Sequence, residues 1–134
     1  MRLFSIVLAV GMLVATGCTG GRDGARGVAD AFVDAHYVRI ELQASSALCD
    51  GVAYDKVARE IELTSDTPIE ADTLRPKIYY TLHDERSTDT GSHFIYELSI
   101  RPPGLDPFIK YTAITVRKVD AGWKVTNYVE TDAR

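Results

Sequence analysis

Cysteine is scarce in this sequence, with Cys18 and Cys49 the only two in 134 residues. So small a supply gives no disulfide framework of the kind that staples small exported domains. Basic residues are outnumbered 15 to 19 by acidic ones, for a net charge of −4. They form no basic cluster, which argues against a nucleic-acid partner and against an electrostatic grip on anionic lipid. The uncharged run Leu3–Ala15 is thirteen residues, short of the ~20 that a membrane-spanning helix needs. The three histidines, His36, His83 and His93, have no helical pair spacing, and no His-x-x-Glu motif is present. No metal site is therefore expected. Without a glycine-rich phosphate loop or a nucleophile elbow, no cofactor is expected either. Internal repeats and low-complexity tracts are absent.

What is present begins with an address. Arg2 precedes the apolar run, and the small residues Ala15, Thr16 and Gly17 lead to Cys18. A charged n-region, an apolar h-region and small residues before a cut make an export signal. A cysteine just past the cut is the acceptor that lipoprotein processing requires. The stretch Ala15-Thr16-Gly17-Cys18 resembles a bacterial lipobox, with Ala15 where leucine is more usual. The expectation is a signal peptide over residues 1–17, a lipidated glycine-rich tether over 18–24 and one domain over 25–134. The mature chain would start at Cys18, run for 117 residues and, without Arg2, carry a net charge of −5. The lipid alone would hold it to a membrane, in the cell envelope and exposed outside the cytoplasm. Cys49, left unpaired once Cys18 is acylated, is expected as a buried, inert thiol.

From Ala25 the spacing is helical. Val28, Phe32, His36 and Ile40 recur every fourth residue with Ala29 and Val33 beside them, and the stripe continues through Ala44, Ala47 and Leu48. Such a stripe buries one face. No Gly or Pro interrupts residues 28–49, so one helix or two joined by a bend both fit. Asp50-Gly51 ends this region, and Tyr54, Val57, Ala58 and Ile61 mark a further helix. Residues 64–76, with two prolines, read as a loop. The period then falls to two. Ile78, Tyr80 and Leu82 predict a first strand; Phe94, Tyr96, Leu98 and Ile100 a second; residues 109–119 a third; and residues 123–130 a fourth. Tight turns at 88–92 and 120–122, with a wider one after Pro102-Pro103-Gly104, predict antiparallel pairing. The fold class is α+β, with N-terminal helices packed on a curved four-stranded antiparallel sheet.

These pieces resemble the nuclear transport factor 2-like superfamily. The resemblance is carried by the helix beginning Val28-Ala29-Asp30-Ala31-Phe32, the helical stretch from Leu48 to Ile61, and the closing Asp120-Ala121-Gly122-Trp123-Lys124-Val125. It covers about residues 25–130 and implies an α+β cone whose sheet wraps a long helix. The superfamily holds ketosteroid isomerases, dehydratases and polyketide cyclases beside many non-catalytic binding domains, so fold does not settle function.

Its enzymes move protons and need an acid or base facing the apolar interior. Strand parity sends Ile78, Tyr80, Leu82, Phe94, Tyr96, Leu98 and Ile100 inward, and His83, Glu85, His93 and Glu97 outward. It also places Trp123, Val125 and Val129 on one inward face. His36 is then the one titratable group on an apolar stripe, with Tyr80 and Tyr96 as inward tyrosines. The candidate pocket is His36, Tyr80 and Tyr96, with no catalytic residue assigned. The expected function is a membrane-anchored, non-catalytic domain binding a small ligand or an envelope protein, with a homodimer through the outer sheet face as a further partner. The alternative is an isomerase or dehydratase using His36 as general base.

Overall fold

A computed structural model describes residues 24–66 and 75–133. The expected signal peptide, Cys18 and all of the tether except Gly24 lie outside the described residues. Helix α1, Ala25–Val33, buries Val28, Ala29, Phe32 and Val33, as its stripe requires. It passes directly into a π-turn, Asp34–Val38, whose buried residues are Ala35 and His36. A π-turn carries an extra residue, so the stripe loses its phase there. Ile40 then takes φ +54°, a left-handed conformation that a β-branched side chain adopts only under constraint. The chain reverses and starts α2, Leu42–Ala47. The expected stripe therefore ends at His36. Ile40 turns out to 37% exposure, Ala44 and Ala47 are exposed, and Ser45 is buried instead.

Asp50-Gly51 does more than stop α2. Asp50 N–H donates to Val125 O at 2.9 Å and Val125 N–H to Leu48 O at 2.9 Å, tying this corner to the last strand. Gly51, at φ +57°, makes the reversal and begins α3, Gly51–Thr64. A residue with a Cβ would be strained there. Pinned at that corner, α3 buries Ala53 and Val57. Tyr54, expected on the buried stripe, is 50% exposed, and Ala58 also faces out. The helix runs on to Thr64, into the start of the expected loop.

The sheet is antiparallel in the order β1 (Lys77–Ser87), β2 (Gly91–Arg101), β3 (Phe108–Val119), β4 (Gly122–Asp132). The helices cover one face, where Phe94, Tyr96, Leu98, Ile114, Val116 and Val125 are buried. Two bulges alter the parity. Leu82 pairs with Tyr96 but Asp84 with Ile95, so Glu85 lands opposite Phe94. Directly paired residues share a face, so Glu85 stands on the helix side and not outward. His83, within the bulge, still faces out against the Tyr111 ring, 5.4 Å away.

The second bulge is on β4, where Thr115 pairs with Asn127 and Val116 with Val125. Beyond it every side chain changes face. Tyr128 is 6% exposed and Val129 49%, so the expected common face of Trp123, Val125 and Val129 breaks at Thr126. Trp123 is only half-buried against the core. Glu130 comes opposite Thr112, on the covered side.

Candidate functional site

His36 sits where α1, α2 and α3 meet β4. It is 6% exposed. Its ring stacks on Phe32 with centroids 4.9 Å apart, and lies 5.0 Å from the Tyr128 ring. Nε2 faces Glu60 Oε2 on α3 at 3.3 Å, and Nδ1 faces Ser45 Oγ on α2 at 3.3 Å. Tyr128 O–H donates to the other Glu60 oxygen at 2.5 Å. Lys56 Nζ donates to Asn127 Oδ1 at 2.9 Å and to Tyr128 O at 2.8 Å. Burial lowers the His36 pKa, with Glu60 and then Glu130 opposing the shift. The Ser45 hydroxyl donates its proton to Leu42 O at 2.9 Å, so toward His36 Nδ1 it presents its oxygen, and Glu60 faces the other ring nitrogen.

Ser45, His36 and Glu60 have the composition of a nucleophile, base and carboxylate set. Ser45, however, has no exposed surface, and its hydroxyl donates to Leu42 O at 2.9 Å. A nucleophile must meet its substrate, so the trio is a buried hydrogen-bond chain. Nearby, burial pushes the Cys49 thiol up to about 12, and Cys49 Sγ donates to Ser45 O at 3.2 Å. The thiol is buried and, with so little thiolate at neutral pH, unreactive there.

The opposite flank of α1 carries a second polar cluster. Tyr96 O–H donates to Asp30 Oδ1 at 2.6 Å, and Arg26 Nε reaches the same oxygen at 2.8 Å. Glu85, turned inward by the first bulge, lies 3.8 Å from Arg26 Nη1. Tyr80 meets the Tyr96 ring edge-on at 5.9 Å. Burial raises the pKa of both tyrosines. His36 makes its ring contacts with Phe32, Tyr37 and Tyr128, whereas Tyr80 and Tyr96 contact each other. The three candidate pocket residues thus divide between two flanks.

A third group lies farther along the covered face. Tyr37 O–H and Thr112 Oγ1 are 2.9 Å apart, and Glu130 lies beside Tyr37. Lys110 Nζ is 4.0 Å from Glu130 and 3.7 Å from Asp132, with its side chain 34% exposed. The register aligns Tyr80, Leu98, Lys110 and Asp132 in one row across the sheet. Among the described residues no three of His, Cys, Asp and Glu gather closely enough to hold a metal ion.

Sequence reasoning found His36 but missed its partners. Glu60 was within reach of it, since Val57, Glu60 and Ile61 share helical spacing and a carboxylate there invites a partner. Ser45 gives no such signal, and Tyr128 and Glu130 are hidden by the β4 bulge.

Helices packed on one face of a curved antiparallel sheet define an α+β cone. The chain has the nuclear transport factor 2-like fold. A nuclear transport factor 2-like protein of unknown function from Shewanella oneidensis superposes with a TM-score of 0.57 at 12% identity, over 78% of this chain and 93% of that one. A domain of unknown function with a cystatin-like fold from Nostoc punctiforme gives 0.62 at 13% identity, over 81% and 75%. A designed protein of the nuclear transport factor 2 type gives 0.57 at 14%, over 81% and 97%. No family model and no curated protein sequence matches the chain.

Proposed function

We propose that the chain is an exported lipoprotein, anchored through Cys18, whose cone is a non-catalytic binding domain. The observation that carries the non-catalytic part is the closed seat of His36. Both ring nitrogens face partners, Ser45 and Glu60, and the ring is 6% exposed. A general base needs contact with its substrate. The binding surface we favour is the row of Tyr80 and Lys110 with Tyr37 and Glu130 beside it. These side chains are half-buried or exposed, and they combine aromatic faces with opposite charges. The ligand would be a small polar molecule, or a segment of an envelope protein offering similar groups. Pairing of two copies we place on the uncovered outer face, where Ile95, Ala113 and Val129 align in one row.

The anchor is supported by the short apolar run ending in Ala15-Thr16-Gly17-Cys18. Expressed in a bacterium with labelled palmitate, the chain should take up label, and Cys18→Ser should abolish it. Labelled Cys18→Ser of mature size would refute the anchor. The non-catalytic reading is tested by assaying proton transfer on steroid-like and polyketide-like ketones, with His36→Gln beside the parent. No turnover is expected. Turnover lost in a folded His36→Gln would replace the binding reading with the isomerase or dehydratase alternative.

A further inference from the structure

The face of the sheet turned away from the helices has a charge opposite to that of the chain. On it the register places five bases, Lys77, Arg86, Arg101, Arg117 and Lys124, against two acids, Asp84 and Glu97. Five against two is a net charge of +3 among the described residues of the face, in a chain of net charge −4. The bases are scattered in sequence, and only strand pairing gathers them. Both bulges contribute. Unbroken alternation would set Lys77, Arg101, Arg117 and Lys124 against Glu85, Glu97, Glu130 and Asp132, equal numbers of each sign. The bulge at His83 instead turns Glu85 to the helix side and brings out Asp84 and Arg86. The bulge at Thr126 turns Glu130 and Asp132 to the helix side.

The bases stay open to solvent. The Arg86 side chain is 83% exposed, 3.4 Å from Asp84. Arg101 stands over the Tyr79 ring, 5.0 Å from its centroid, and Lys124 donates to a neutral group, Ala47 O. The turns and the loop at the rims add Lys118 against Asp89, Asp106 and Asp120, which leaves the sign positive. The two basic ends lie ~30 Å apart along β2, at ~3.3 Å per residue. Between them the surface is apolar. Ile95, Ala113 and Val129 align in one row, and Tyr79 and Val129 are 54% and 49% exposed.

We propose that this outer face docks on an anionic membrane surface, with its bases on lipid phosphates and its apolar row in the headgroup layer. The inference needs neither a lipid on Cys18 nor a ligand at the Tyr80 row. Each Lys or Arg brought near an anionic leaflet is attracted to it, and an amphipathic surface gains apolar burial at the same boundary. Other occupants fit less well. A nucleic acid would meet the bases but leave the apolar row in water. A single phosphate cannot span bases at both ends of the sheet. A second copy would set two positive faces together, so pairing and membrane docking exclude one another.

Two tyrosines make the test internal. Tyr79 on the outer face and Tyr54 on α3 are 54% and 50% exposed. The full chain is mixed with vesicles, and both rings are footprinted with hydroxyl radicals. On vesicles of phosphatidylglycerol and phosphatidylcholine, Tyr79 labelling should fall on the order of threefold relative to Tyr54, as its ring enters the headgroup layer. On phosphatidylcholine alone, or with inorganic phosphate and no vesicles, the ratio should not move. Arg86→Glu combined with Arg117→Glu makes the face acidic and should restore Tyr79 labelling. If that variant does not fold, the parent in ~1 M salt decides, because screening then confines charge attraction to ~3 Å. Equal labelling of the two tyrosines on the anionic vesicles would overturn the proposal. So would a fall on phosphatidylcholine alone, a fall with inorganic phosphate, or one that survives both the substitutions and salt. A fall without vesicles that grows with protein concentration would put a second copy on the face in place of the membrane.

Discussion

On the flank of α1 that faces β1 and β2, Tyr96 gives its phenol proton to Asp30 at 2.6 Å, and Arg26 holds the same oxygen at 2.8 Å. On the flank that faces α3 and β4, Tyr128 gives its proton to Glu60 at 2.5 Å, and His36 lies 3.3 Å from the other oxygen. Each cluster is a tyrosine and a carboxylate with a nitrogen-bearing side chain, the Arg26 guanidinium on one flank and the His36 imidazole on the other. They differ in access to water. The carboxylates are alike, Asp30 36% and Glu60 40% exposed, but the Arg26 side chain is 46% exposed against 5% for His36. Water can replace a lost partner on the first flank but not around a ring sealed by Phe32 and Tyr128. The same chemistry is therefore cheap to disturb on one side and expensive on the other.

The largest expected effect comes from unsealing the buried flank. Phe32→Ala should lower unfolding stability by ~3–5 kcal/mol, since it removes a fully buried ring that also covers His36. Tyr96→Phe on the opposite flank should cost less, ~1.5–3 kcal/mol, the worth of one hydrogen bond to a charged group. Urea denaturation of both variants decides the matter, and equal losses would erase the contrast between the flanks.

The pH dependence of stability should follow the buried flank as well. His36 has a folded pKa below its unfolded value of ~6.5 because burial disfavours the charged ring. The unfolded chain then binds the proton more tightly. This contribution to stability is complete above pH ~6.5 and is lost as pH falls through that value toward the lower folded pKa. Thermal melts between pH 7.5 and 5.0 should fall more steeply for the parent than for His36→Gln. Tyr96→Phe should keep the parent's slope.

Smaller effects should mark the strained corner and the open flank. Ile40→Gly should raise stability by up to ~1 kcal/mol, because glycine accepts a φ of +54° without a Cβ clash, less its greater chain entropy. A loss in that variant would show that the Ile40 side chain contributes more by contact than its conformation costs. Arg26→Ala should change stability by less than ~0.5 kcal/mol, as expected of an exposed pair four residues apart on a helix. A loss above ~1 kcal/mol would mean that the first flank is also shielded from water.

Much of the cone is legible one residue at a time. The period of four in Val28, Phe32 and His36, the period of two in Phe94, Tyr96 and Leu98, and the turns at Gly104 and Gly122 each name a local structure. The site was less legible, and the reason lies in three insertions. The π-turn at 34–38, the bulge at His83 and the bulge at Thr126 each add one residue to a regular element. Each leaves the composition unchanged while turning the side chains beyond it. Ile40 and Val129 went from inside to outside by this means, and Glu85, Tyr128 and Glu130 came in.

The sequence by itself determined the order of helices and strands, the antiparallel pairing and the burial of Phe32, His36, Cys49 and Tyr96. Those follow from periodicity and from turn residues, which act over a few positions. Only the tertiary structure decided that His36 meets Ser45 and Glu60, and that Tyr96 meets Asp30 instead. Such pairings depend on how α2 and α3 are pinned by Leu48, Asp50 and Val125, and on strand register past a bulge. Both are settled by packing between distant segments, where one inserted residue outweighs any local preference.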